Sequence, residues 1–118
     1  MIKGVHHISI IVSSELSVAF YERLGFASIL RKDRGYDKVV IMKGYGVQLE
    51  LFVDSRHPKR AINPASIGIR HISLQVDSLD SILDEFECGE VKIDWFGNRY
   101  CYLYDPDGLP IQFNEGEL

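Results

Sequence analysis

The sequence predicts an α+β fold made of two similar βαβββ modules. Three observations carry this. β-Branched runs alternate with short helical patterns in the order β-α-β-β-β, a polar connection, then β-α-β-β-β again. The stretch "HHISIIVSSELSVAFYERLGF" at 6–26 returns as "RHISLQVDSLDSILDEF" at 70–86, and "GVQLELF" at 46–52 returns as "GLPIQFN" at 108–114. The spacing holds as well: His7 and His71 stand 64 positions apart, and Glu50 and Gln112 stand 62 apart. A period of about 60 residues marks an internal repeat.

The elements follow in order. Residues 5–12, "VHHISIIV", read as a strand. Ser13 or Ser14 caps the helix that follows, Leu16, Ala19, Phe20 and Leu24 recur at helical spacing, and Gly25 ends it. "ASILRKD", "KVVIMK" and "GVQLELF" are strands, with a turn at Asp33-Arg34-Gly35. "DSRHPKRAINPAS" is polar and Pro-containing, and reads as a connection. "IGIRHISLQV" opens the second module, and "DSLDSILDEFE" is its helix, begun by Asp77 or Ser78. "VKIDWF", "RYCYLYD" and "LPIQFNE" are its further strands, with "DPDG" a tight turn. One domain over 1–118 is expected, with module one about 1–54, a connection about 55–66 and module two about 67–118.

Composition narrows the function classes. Of 118 residues 25% are charged, the net charge is −4, and no Lys/Arg run suggests a nucleic-acid tract. No apolar stretch reaches the length of a membrane span, and the N-terminus does not read as a signal peptide. Cys88 and Cys101 are too few and too isolated for a disulfide framework or a CxxC zinc site, so a reducing, cytoplasmic setting is expected.

The repeat also sorts the histidines. Laying "HHISI" over "RHISL" puts Arg70 on His6 and His71 on His7, so a shared histidine survives only at the second position. His6 therefore reads as structural. On a strand, His7, Ser9 and Ile11 share one face and Ile8, Ile10 and Val12 the other, apolar one. The last strands add Glu50 and Gln112 on their more polar face. A mid-strand carboxylate between Leu49 and Leu51 costs free energy unless it is paired, hydrated or metal-bound. His7, Glu50, His71 and Gln112 thus form a candidate ligand set for a divalent ion: Zn, Ni, Co, Mn or Fe.

The segments "VHHISIIV…AFYERLGF", "VQLELF", "GIRHISLQVDSLD" and "DPDGLPIQFNE" occur in order over nearly the whole chain. On them the sequence resembles the vicinal oxygen chelate superfamily, the glyoxalase I, bleomycin-resistance and extradiol dioxygenase group. It is most similar to small bacterial glyoxalase-like (lactoylglutathione lyase-like) proteins. The resemblance implies paired modules forming a cupped mixed sheet around a divalent metal, and a homodimer. It implies His7, Glu50 and His71 as metal ligands. The fourth position, usually Glu in glyoxalase I, is Gln112, and a neutral amide can ligate but cannot act as a base. Glu50 is then the candidate catalytic base.

Arg99 and Tyr102 are candidate substrate-binding residues. Arg99 suits a carboxylate or phosphate, its alternative being a solvated edge arginine. Trp95 and Phe96 read as a pocket wall or as core, and Cys101 as a buried strand residue. Three functions fit. The first is a metal-dependent lyase or isomerase on a small α-oxo carbonyl or its thiol adduct. The second is a binding protein that sequesters a small molecule, and the third an extradiol-type iron dioxygenase.

Overall fold

The computed structural model describes residues 1–117. The element order is β1 (Ile8–Val12), α1 (Glu15–Arg23), β2 (Ala27–Asp33), β3 (Lys38–Gly44) and β4 (Val47–Val53), then β5 (Ile72–Gln75), α2 (Leu79–Glu85), β6 (Lys92–Ile93), β7 (Arg99–Tyr104) and β8 (Pro110–Asn114). These form two compact units, Met1–Lys59 and Arg60–Leu118. Each unit holds one helix and one four-stranded mixed sheet, ordered β1-β4-β3-β2 in the first and β5-β8-β7-β6 in the second. The class is α+β, and the repeat in the sequence is a repeat of topology.

In both units the first strand runs parallel to the last and the remaining pairs are antiparallel. The register repeats as well. Ser9 lies opposite Glu50 in the first unit, and Ser73 lies opposite Gln112 in the second. Alternation then buries Leu49 and Leu51 on one face of β4, and Ile111 and Phe113 on one face of β8. Glu50 and Gln112 take the other, partly open face.

Helix α1 starts where Ser14 Oγ accepts from the Leu16 N–H at 3.2 Å. It ends in a Schellman motif: Phe26 N–H donates to Tyr21 O and Gly25 N–H to Glu22 O, each at 3.0 Å. Gly25 has φ +109°, and a Cβ there would lie 2.2 Å from Tyr45 Oη. Glycine is required twice over, by backbone conformation and by space.

Three sequence expectations are corrected. The strands opening each unit begin after the histidines rather than through them, at Ile8 and Ile72. Strand β6 is two residues long instead of covering 91–96, because Asp94 Oδ1 captures the N–H groups of Phe96 and Asn98 and turns the chain. The buried stripe of α1 is Ser17, Val18, Tyr21 and Leu24, while Leu16 is 72% exposed. Leu24 is the C-cap, and Tyr21 is the largest side chain on the buried stripe.

Candidate functional site

In the first unit the site is built at the mouth of β1. His7 Nε2 stands 3.0 Å from Glu50 Oε2, with the imidazole 35% and the carboxylate 21% exposed. His7 Nδ1 meets His6 Nδ1 at 2.8 Å. One of these two nitrogens donates to the other, so the rings fix each other's orientation. His6 therefore orients His7, a role the repeat comparison did not reveal. Glu50 has this partner and stays partly exposed, so pairing and hydration together offset the cost of a mid-strand carboxylate.

The same positions in the second unit are wired differently. Gln112 Oε1 accepts from Ser73 Oγ at 2.8 Å and from Asn114 Nδ2 at 3.2 Å, and Gln112 Nε2 donates to Tyr102 Oη at 3.1 Å. Both acceptor positions of the amide oxygen are taken. Arg70 Nη1 donates to Tyr102 Oη at 3.0 Å and lies 3.1 Å from His71 Nδ1. Arginine only donates, so His71 accepts at Nδ1 and carries its own proton on Nε2 when neutral. Burial, and then the nearby Arg70 charge, hold His71 below its usual pKa, which favours the neutral imidazole.

Two cis ligands at bond lengths of about 2.1 Å stand about 3.0 Å apart, and the His7–Glu50 separation matches that edge. A neutral imidazole at His71 is a competent donor, once its proton moves to Nδ1 and the Arg70 contact opens. Gln112 offers a carbonyl oxygen that Ser73 and Asn114 already occupy. His7 and Glu50 therefore fit a divalent ion by distance, and His71, within its own unit, carries a donor of suitable chemistry. Among the described residues no group of three or more His, Cys, Asp or Glu side chains is gathered at one point.

A cavity of about 480 Å³ opens on the second unit. Its lining includes Arg70, His71, Lys92, Tyr100, Tyr102 and Gln112, with Trp95 and Phe96 stacked at 3.9 Å between ring centroids. Trp95 and Phe96 are 88% and 70% exposed, so they wall the cavity and do not belong to the core. Tyr102 lies at the centre of the network, with the His71 ring edge-on at 5.5 Å. Arg99 does not reach this cavity. Strand alternation sends it to the opposite face from Tyr100 and Tyr102, where Nε and Nη2 clasp Glu115 at 2.8 and 2.7 Å and Nη2 reaches Asp80 at 3.4 Å. Arg70, to which the sequence assigned no role, lines this cavity; its place opposite His6 in the repeat was the only signal. Cys101 is fully buried, as expected.

Fold and site define a class. Residues 4–113 match the family model of the Glyoxalase/Bleomycin resistance protein/Dioxygenase superfamily, and the chain belongs to that superfamily. It is 35% identical to the uncharacterised protein YwkD of Bacillus subtilis (strain 168), over 98% of each chain. A glyoxalase family protein from Enterococcus faecalis superposes with TM-score 0.87 at 27% identity, over 96% of this chain and 98% of that one. At 22% identity, a mutant of the fosfomycin resistance protein FosX from Listeria monocytogenes has the same fold, with TM-score 0.78 over 100% of this chain and 96% of that one. That FosX mutant is complexed with Mn(II) and 1S,2S-dihydroxypropylphosphonic acid.

Proposed function

We propose that this protein is a divalent-metal-dependent lyase or isomerase of the glyoxalase I type, acting on a small α-oxo carbonyl compound or its thiol adduct. The observation that carries this reading is the His7–Glu50 pair, two donors at 3.0 Å on the open face of the first sheet. His71, at the repeat-related position of the second unit, carries the same donor chemistry. Membership of the superfamily supports a metal, and so does Mn(II) in the FosX complex. The native ion is one of Zn, Ni, Co, Mn or Fe. A bound divalent ion polarises vicinal oxygens and lowers the acidity barrier of the adjoining C–H.

Glu50 would take the proton from the hydroxyl-bearing carbon beside the carbonyl and return it to the former carbonyl carbon, while the hydroxyl proton passes to the former carbonyl oxygen, so the net change is an isomerisation. Gln112 cannot share this work, because its amide has no exchangeable basic site in this range. Tyr102, with Arg70 donating to its hydroxyl, offers hydrogen-bonding groups suited to a substrate's oxygens. The free thiols of Cys88 and Cys101 suit a cytoplasmic protein, and dimers are the expected assembly. No helix is long and apolar enough to cross a membrane.

A second reading, a binding protein without turnover, is favoured by one feature: Gln112 fixed in a closed hydrogen-bond network where a base would stand. The test is metal analysis of the purified protein, followed by hemithioacetal isomerisation over Ni, Co, Mn and Zn. Stoichiometric metal with turnover supports the enzyme. Metal without turnover on all four supports sequestration, and trace metal unchanged by His7→Ala removes the metal reading.

A further inference from the structure

We infer that the cavity of the second unit is a binding site for a small anion with a planar or aromatic body, gripped by Arg70 and covered by Trp95 and Phe96. The inference names a substrate class for the function proposed above, but it rests on groups that do not ligate metal.

Arg70 is exposed at the cavity, and among the described residues no carboxylate lies within ion-pair distance of it. Its contacts are the neutral Tyr102 hydroxyl and His71. A guanidinium has five N–H donors, and these two contacts use only Nη1. The planar fork that remains matches a carboxylate, phosphonate or phosphate. Other arginines of the chain differ: Arg31, Arg34, Arg56 and Arg99 each hold an acidic partner.

Lys92 adds a second cation to the lining, and among the described residues no carboxylate pairs with it. The opposing charge is Asp94, whose carboxylate is used by the N–H groups of Phe96 and Asn98 and by Asn114 Nδ2. Two cations therefore face one committed carboxylate, and the cavity favours an anion.

The wall sets the rest of the ligand. A stacked Trp and Phe this exposed leave a large apolar surface in water, which a flat ligand would cover.

Trp95 is the chain's single tryptophan, so its fluorescence reports on this cavity. The experiment uses full-length protein in buffer stripped of metal by chelating resin. It titrates benzoate, phenylphosphonate, methylphosphonate and benzyl alcohol, with binding confirmed by ligand-observed NMR. The two aromatic anions are expected to give a saturable shift, and benzyl alcohol and methylphosphonate to bind about tenfold more weakly or worse. Preference between benzoate and phenylphosphonate distinguishes a carboxylate ligand from a phosphonate or phosphate. Arg70→Gln should weaken both aromatic anions about tenfold, and Arg70→Lys should weaken them less.

Equal binding of anion and neutral analogue, or anion binding within twofold of wild type in Arg70→Gln, overturns the inference. So does the absence of any saturable response. Anion binding that returns only when metal is added assigns the anion to the metal and also overturns it. Failure of metal binding in wild type, with aromatic anions still held by Arg70, removes the metal reading alone.

Discussion

Glu50 and Gln112 occupy the same register in two sheets of the same topology, one opposite Ser9 and the other opposite Ser73. Glu50 is an ionisable group held by a histidine, while Gln112 is a neutral amide with its oxygen saturated by Ser73 and Asn114. The two halves of a near-symmetric fold have therefore been given different work. One keeps a carboxylate able to bind a cation and move a proton, and the other has become a rigid polar floor.

Replacement of Gln112 tests that division. A carboxylate at this position can accept from Ser73 and Asn114 as the amide does, and the Tyr102 O–H can turn to donate to it. The folded state of Gln112→Glu should stay within about 1 kcal/mol of wild type by thermal melting. Any isomerase activity should rise, by up to roughly 10² if the new carboxylate serves as a base. A tenfold fall in activity would show that the amide itself is required.

His7 and Glu50 are expected to govern metal affinity. His7→Ala and Glu50→Ala should each weaken binding of Ni or Zn by roughly 10- to 100-fold in equilibrium dialysis. His6→Ala removes only the group that orients His7 and should cost less than either. Affinity unchanged in His7→Ala would detach this pair from any metal site.

Arg99 is expected to matter for folding and not for ligand affinity. Its guanidinium, and then the Leu79 N–H, lower Glu115 from 4.5 to about 2. A depressed carboxylate stabilises the fold above its unfolded pKa and loses that contribution as pH falls through the folded one. Acid should therefore erode stability between about pH 4.5 and 2. Glu115→Gln should flatten that part of the curve in circular dichroism melts taken across the window. If Glu115→Gln melts with wild-type pH dependence there, the clasp contributes nothing.

Gly25 should tolerate no side chain. Gly25→Ala places a methyl 2.2 Å from Tyr45 Oη on a backbone at φ +109°, and should destabilise the protein by about 1–3 kcal/mol. Tyr45→Phe alone loses the hydrogen bond to Leu24 O. Combined with Gly25→Ala it removes the hydroxyl clash, so the double mutant should lose less than the two single losses added together. Strict additivity in denaturant melts would separate the two residues.

The sequence by itself determined the repeat, the order of elements, the polar faces of the last strands and the pairing of His7 with His71. It could do so because alternation and periodicity are local, and a duplicated pattern exposes the residues shared between copies. Only the tertiary structure decided which groups touch. Arg70 reaches Tyr102 across 32 residues, Ser73 reaches Gln112 across 39, and Arg99 turns away to Glu115. Periodicity assigned Arg99 to a strand, but its direction depends on the phase that Tyr100 and Tyr102 impose, and its partner lies beyond the next turn. The two-residue β6 and the exposed Trp95–Phe96 stack follow from one carboxylate, Asp94, capturing backbone N–H groups. Hydrophobic pattern carries no trace of that capture, because it is a hydrogen-bonding choice and not a burial choice.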